Sequence, residues 1–443
     1  MYAVYRNYRK NKTRIAVLLL TATITVTSLW TSGSGSRPAH AAGEQQTAKT
    51  EENYQIVALG DSLTAGYELG FSEQSVPYGY VEHVFEQALF HGERASYVNY
   101  GIIGLKSAGL HKLVQAAADG NTVHASDVQE QLPDPRAERI VAQTKEIKAS
   151  IADADLIVMT MGGNDLLSMM NVLAKDTPLT EATEILNELL DSYEQELKAA
   201  LQTIVKLNPK ARIAIADQYL PVPAPIKVGS ATIEWYPEDD RQFLLGGSDQ
   251  LRNRLNGIVA ELNKNGGDAL AVNISTAFLG NETTYTTIAK GDIHPNYLGY
   301  AAMGRAYAEA IWGDYRTVRQ RAAGIPISVV VEGNELPASA APPVLRSNRT
   351  FVAMRDITDA VGAKISWSTA KQTATVVYGG HQVEITIGSE YYVIDGQKKK
   401  LSSPPAFLLG KKTKTYLPLA ALSEALGLQV TYRQPLQTVF INK

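Results

Sequence analysis

With 443 residues, 45% of them apolar and 20% charged, the chain is long enough for two ordinary globular domains and apolar enough to bury large cores. It contains no cysteine, which excludes a disulfide framework, a thiolate metal site and a cysteine nucleophile. The formal net charge of -3 conceals an asymmetry: residues 1–41 hold six Lys/Arg and no Asp/Glu, leaving 36 Lys/Arg against 45 Asp/Glu, or -9, in the remainder, which argues against nucleic acid as a partner.

The N-terminal segment has the three-part pattern of a secretory signal peptide. The basic stretch RNYRKNKTR precedes 16 mostly apolar residues, Ile15 to Trp30, and a polar run that ends in Ala39-His40-Ala41, a small-x-small cleavage pattern. The apolar run is short for a bilayer span and carries five Thr/Ser, which argues against a membrane anchor. Cleavage near Ala41 would leave a secreted protein, extracellular or associated with the cell wall, with residues 42–53 as a polar flexible leader.

From residue 54 to about 315, short apolar runs alternate with helical patterns. The candidate strands are Gln55–Leu59, Ala95–Asn99, Leu156–Met161, Arg212–Ala216 and Leu270–Asn273, and the amphipathic runs include Tyr80–Phe90, Thr180–Leu207 and Ser248–Lys264. This alternation predicts an α/β domain, a parallel sheet with helices on both faces. Ala117–Arg136 has no clear periodicity and reads as a loop or insertion.

Pro- and Gly-punctuated sequence over 314–348 marks a boundary, and residues 325–443 form a second unit. It contains an internal repeat at a constant offset of 65 residues: Gly362 matches Gly427, Trp367 matches Tyr432, and Gln372-Thr373 matches Gln437-Thr438. Each copy reads as a short helix closed by glycine, a strand, a turn and a strand, so a small α+β domain is expected. Its one histidine, His381, does not make a metal site alone, and no metal or cofactor is expected in either part.

Four stretches carry chemistry, each just after a candidate strand: Gly60-Asp61-Ser62-Leu63, the glycines Gly101 and Gly104, Gly162-Gly163-Asn164-Asp165, and His294-Pro295-Asn296. Ligands of an open parallel sheet bind outside the carboxyl ends of its strands, so the four would meet on one rim. Singly, each has a bland reading: Ser62 as a turn or helix N-cap, Asn164 as an Asx turn, His294 as a structural histidine. Jointly they supply a nucleophile, oxyanion donors and a base once each. Phe71, Tyr78 and Tyr80 follow Ser62 closely and are candidates for an acyl pocket.

The blocks GDSL at 60–63, Gly104, GGND at 162–165 and HPN at 294–296 resemble the four signature blocks of SGNH (GDSL-type) hydrolases over roughly residues 54–312. The resemblance implies a three-layer α/β/α sandwich around a five-stranded parallel sheet, flavodoxin-like, and a serine esterase or lipase acting on short acyl, lysophospholipid or acetyl-sugar esters. It implies Ser62 as nucleophile, His294 as base, and Ser62 N–H, Gly104 N–H and the Asn164 amide as the oxyanion hole. The family places an acid three residues before the histidine. Here Gly291 stands there and Asp292 lies two before, so two arrangements stay open: Asp292 completes a triad, or His294 is oriented by a backbone carbonyl in a Ser-His dyad. Two other functions use the same residues, a catalytically weak cell-surface binding protein and an acyltransferase. The second unit resembles the copper amine oxidase N-terminal-like stalk domain of secreted Gram-positive proteins, carried by RTFVAMRDITDAVGAKISW and KTYLPLAALSEALGLQVTY, and implies a surface polymer as a partner.

Overall fold

A computed structural model describes residues 53–443 apart from 229–230, 235, 338–340 and 410–413. The signal-peptide pattern and its cleavage point lie outside the described residues. Strands β1 (Tyr54–Gly60), β2 (Ala95–Gly101), β3 (Leu156–Thr160), β4 (Arg212–Ala216) and β5 (Asp268–Val272) form one sheet in the order β2-β1-β3-β4-β5, every pairing parallel. The pleat sends alternate residues to opposite faces. Val57, Leu59, Ile157, Met159, Ile213 and Ile215 enter one core, and Ile56, Ala58, Leu156, Val158, Ala214 and Ala216 the other. Burial on both faces explains the near-continuous apolar runs.

The first core is covered by helices α2 (Ser107–Asp119), α3 (Leu179–Leu207) and α4 (Glu238–Lys264), the second by α1 (Tyr80–Phe90) and α5 (Tyr297–Trp312). The expected three-layer sandwich is the observed one. Helix α4 begins ten residues before the expected Ser248. Pro237 caps it, and Glu238, Asp239 and Asp240 complement the positive end of its dipole, while Gly246-Gly247 obscures the periodicity inside. In Ala117–Arg136, α2 ends on the left-handed Gly120 (φ 75°), and one helical turn, Ala125–Val128, interrupts an otherwise irregular return. A single turn is too short to show a period.

The repeat is visible in the backbone. Strands Lys364–Ser368 and Gln429–Arg433 follow helices Met354–Val361 and Leu419–Ala425, and the glycines between, Gly362 and Gly427, share φ values of 74° and 75°. Both hairpin turns put a glutamine in the left-handed region, Gln372 at φ 49° and Gln437 at φ 47°. The copies differ in their sheet partners: Thr373–Tyr378 pairs antiparallel with His381–Thr386, whereas Thr438–Asn442 pairs parallel with Ser328–Val331.

This unit sits against α1. Phe440 meets Phe90 edge-to-face at 4.8 Å, and the Asn442 amide donates to the carbonyls of Leu89 and Glu93. Arg433 pairs with Glu86 at 2.9 Å, where Glu86 is 2% exposed. All eleven residues of α1 are buried, polar ones included. A helix with no exposed face is a core helix, here sandwiched between the sheet and the second unit.

Candidate active site

Strand β1 ends at Gly60 with φ +143°, and a Cβ there would stand 2.4 Å from the Thr160 carbonyl oxygen. Only glycine lets β1 close on β3 at this point, and the chain then breaks into a turn over residues 61–66. Asp61 organises that turn. Its Oδ1 accepts from the Leu63 N–H (3.0 Å) and from Thr160 Oγ1 (2.7 Å), and Thr64 Oγ1 lies 2.7 Å from Thr160 Oγ1 and 2.8 Å from the Tyr80 hydroxyl. Burial pushes the Asp61 carboxyl up to about 6, against the pull of the Thr160 and Leu63 hydrogen bonds. Ser62 is thereby held at the sheet edge, 7% exposed.

The Ser62 hydroxyl lies 2.8 Å from His294 Nε2, and His294 Nδ1 lies 2.6 Å from Asp292 Oδ1. Asp292 Oδ1 also accepts from the His294 backbone N–H at 3.1 Å. Burial alone would raise the Asp292 carboxyl, but the hydrogen bond and charge of His294 outweigh it and hold it below the usual carboxylate range. Gly291 in left-handed conformation (φ 86°) turns the chain so that a carboxylate two residues before the histidine reaches its ring. The histidine loop is pinned from several sides. The Tyr219 hydroxyl donates to the Ile293 carbonyl at 2.7 Å, the Thr287 N–H to the His294 carbonyl at 3.0 Å, and the Asn296 side chain caps α5 by accepting from Leu298 and Gly299 N–H.

Gly104 follows β2 in the left-handed region (φ 81°), inside a turn closed by the Leu105 N–H to the Ile102 carbonyl at 3.2 Å. Asn164 follows Gly162, whose φ of +122° only glycine tolerates, and its amide donates to the Leu105 carbonyl at 3.0 Å. The two candidate donors are therefore docked on one turn. The amide N–H groups of Ser62 and Gly104 have no acceptor among the described residues, and neither does the second hydrogen of the Asn164 amide.

Two residues overlooked in the sequence support these groups. Asp165, next to Asn164 in the same block, accepts from the Ser107 N–H and from Ser107 Oγ at 2.5 Å, tying β3 to the start of α2. Burial pushes its carboxyl up, partly offset by Ser107. Tyr67 places its ring 4.3 Å from that of His294, with Phe71 5.8 Å further on, and its carbonyl accepts from the Tyr300 hydroxyl at 2.6 Å. Of the three aromatics considered for an acyl pocket, only Phe71 joins this wall. Tyr80 is fully buried and stacked on Tyr307, and the Tyr78 hydroxyl is taken up by Glu86.

The family model of the GDSL-like lipase/acylhydrolases matches residues 58–302. The chain belongs to that family. This GDSL hydrolase is an ester-hydrolysing enzyme, and a copper amine oxidase N-terminal domain model matches its residues 330–441. It is 26% identical over 302 residues to the uncharacterized protein YpmR of Bacillus subtilis (strain 168), covering 67% of this chain and 92% of that one. Similar solved structures include the lipase Lip_vut3 from a goat rumen metagenome (18% identity, 60% of this chain and 100% of that chain, TM-score 0.39). They also include a catalytic mutant of the acetylxylan esterase Axe2 from Geobacillus stearothermophilus (17%, 62% and 100%, TM-score 0.37) and an extracellular lipase from Streptomyces rimosus (15%, 58% and 99%, TM-score 0.37). Copper in the second domain's name finds no fit in this GDSL hydrolase: among the described residues no group of three or more His, Asp or Glu could hold a metal ion, and His381 sits exposed beside Asp395.

Proposed function

We propose that the protein is a secreted serine esterase that works through an acyl-enzyme on Ser62. The observation that carries this reading is the continuous contact from Ser62 Oγ to His294 Nε2 (2.8 Å) and from His294 Nδ1 to Asp292 (2.6 Å). His294 Nε2 accepts the hydroxyl proton as Ser62 Oγ bonds to the ester carbon. The charge that collects on the carbonyl oxygen is met by Ser62 N–H, Gly104 N–H and the free hydrogen of the Asn164 amide. Asp292 holds the ring in the tautomer with Nδ1 protonated and stabilises the imidazolium. His294 returns the proton to the departing alcohol oxygen as the C–O bond breaks. A water molecule, deprotonated by the same nitrogen, then releases the acid and restores Ser62.

The acyl group is proposed to be short and apolar, lying along Tyr67 and Phe71 next to His294. Secretion by cleavage near Ala41 follows from the pattern of residues 1–41. A surface polymer held by the second domain is proposed from its exposed edge strand Gln397–Lys400, where Lys398, Lys399 and Lys400 offer cations to an anionic chain.

The test is a p-nitrophenyl ester series from acetate to decanoate with wild type and Ser62→Ala. Turnover that peaks at short chains and vanishes in Ser62→Ala is expected. Binding without turnover would leave a ligand-holding surface protein, and ester formation with an added sugar acceptor in place of hydrolysis would make it an acyltransferase.

A further inference from the structure

We propose that the segment Gln129–Arg136 is a built-in clamp on the oxyanion turn, with Gln129 and Asp134 as positioning residues that act through Gly104 and Asn164. The proposal rests on the serine-esterase reading above and deepens it.

Within the turn Ile102–Leu105 the backbone makes one bond of its own, from the Leu105 N–H to the Ile102 carbonyl. The Ile102 N–H bonds the Gly60 carbonyl on one side, and Ser107 bonds Asp165 on the other. Between these points, apart from the Leu105 N–H on the Ile102 carbonyl and the Asn164 amide on the Leu105 carbonyl, the backbone is met by side chains that arrive from 23 to 31 residues downstream. Gln129 brackets the turn with both ends of its amide: Nε2 donates to the Gly104 carbonyl at 2.9 Å, and Oε1 accepts from the Lys106 N–H at 2.9 Å. Asp134 Oδ2 accepts from the Ile103 N–H at 2.9 Å. Pro133 lies against the bare Cα of Gly104, where a Cβ would come within 2.6 Å of the proline ring. The peptides on either side of the Gly104 N–H are thus held by the same segment, and so is the Cα itself. Because the Asn164 amide rests on the Leu105 carbonyl, the clamp places that donor too.

The segment also reaches the opposite wall. Arg136 pairs with Asp134 at 2.9 Å, donates to the Gly101 carbonyl at 3.0 Å, and lays its guanidinium over the Phe71 ring at 4.6 Å. Phe71 leads to Tyr67 and Tyr67 to His294. Asp134 and Arg136 are 5% and 9% exposed, so the charged anchors of the segment are buried against the turn while Glu130, Gln131, Pro133 and Pro135 face solvent. A preorganised oxyanion site needs its donors fixed before the charge develops, and glycine offers no stiffness of its own. Stiffness supplied by a separate segment answers that need.

Gln129 is the residue to test, since its removal leaves the buried Asp134–Arg136 pair intact. In full-length Gln129→Leu, kcat for p-nitrophenyl butyrate per titrated Ser62 site should fall about tenfold to a hundredfold, the loss on the order of that for a ~1 Å misplacement of a reacting group. KM should stay within about twofold, because the donors act on the transition state. A merely structural residue would lower the titre of active sites and leave the rate per site alone. Combining Gln129→Leu with Asn164→Ala should cost less than the product of the two separate losses, since both act on one oxyanion. A rate per site within about threefold of wild type would overturn the proposal. Should the wild type turn over no ester, the esterase reading fails by itself, and a crystal structure of Gln129→Leu decides the clamp: Gly104 N displaced or in two positions supports it, and Gly104 N unmoved refutes it.

Discussion

Asp61 is a fully buried carboxyl beside Ser62, and replacing it by asparagine isolates what its charge costs. Its Oδ1 accepts from Leu63 and Thr160, contacts an asparagine oxygen can keep, while its Oδ2 faces Gln218 Nε2 at 3.4 Å, where a flip of the Gln218 amide restores a donor–acceptor pair. Burial raises this carboxyl from 3.8 to about 6, which at 1.36 kcal/mol per pH unit is about 3 kcal/mol. The neighbouring charges act in opposite senses, His294 lowering the value and Asp165 raising it. The sign follows from proton binding. Between pH 3.8 and about 6 the folded state holds a proton that the unfolded state has released, so stability is full below 3.8 and is lost as pH rises through 6. Asp61→Asn has no such loss. Urea unfolding of wild type and variant from pH 3.5 to 7.5 should therefore give a stability difference that grows in favour of the variant by about 3 kcal/mol across pH 4 to 6 and is flat above it. A difference independent of pH would refute the reasoning, because it would mean that Asp61 titrates alike in both states.

Asp292→Ala should lower kcat on p-nitrophenyl butyrate by about 10⁴ if the carboxylate at Nδ1 sets the tautomer, and a loss of less than about tenfold would leave a Ser-His dyad. Asn164→Ala should cost about 10²–10³ in kcat with little change in KM, and retained turnover would remove Asn164 from the oxyanion hole. Arg433→Met strands Glu86 inside the interface between the two domains and should destabilise the whole chain by about 3–5 kcal/mol in thermal or urea unfolding, with Glu86→Gln in the same chain restoring most of it. A single variant as stable as wild type would show that the pair does not hold the domains together.

Much of the fold was legible because burial on both sheet faces and amphipathic helices leave strong periodic marks. Arg212–Ala216 and Tyr80–Phe90 were read to the residue. The errors have local causes. Helix α4 starts ten residues before the expected Ser248 because its internal glycine pair masks the period, and the turn that Asp61 builds after Ser62 leaves no periodic mark. The reach of Asp292 could not be read from spacing, since it depends on the left-handed Gly291 and on the Tyr219 hydroxyl that anchors the Ile293 carbonyl.

What the sequence by itself determined is which residue types stand at the carboxyl ends of the strands, because strand period and turn glycines are local properties of the chain. Ser62, Asn164 and His294 could be named on that basis. Only the tertiary structure decided what surrounds them: that Gln129, Pro133 and Asp134 grip the Gly104 turn, and that the repeat domain closes over α1. Those contacts join segments with no shared period, and their hydrogen bonds and packing are chosen by how the folded layers meet.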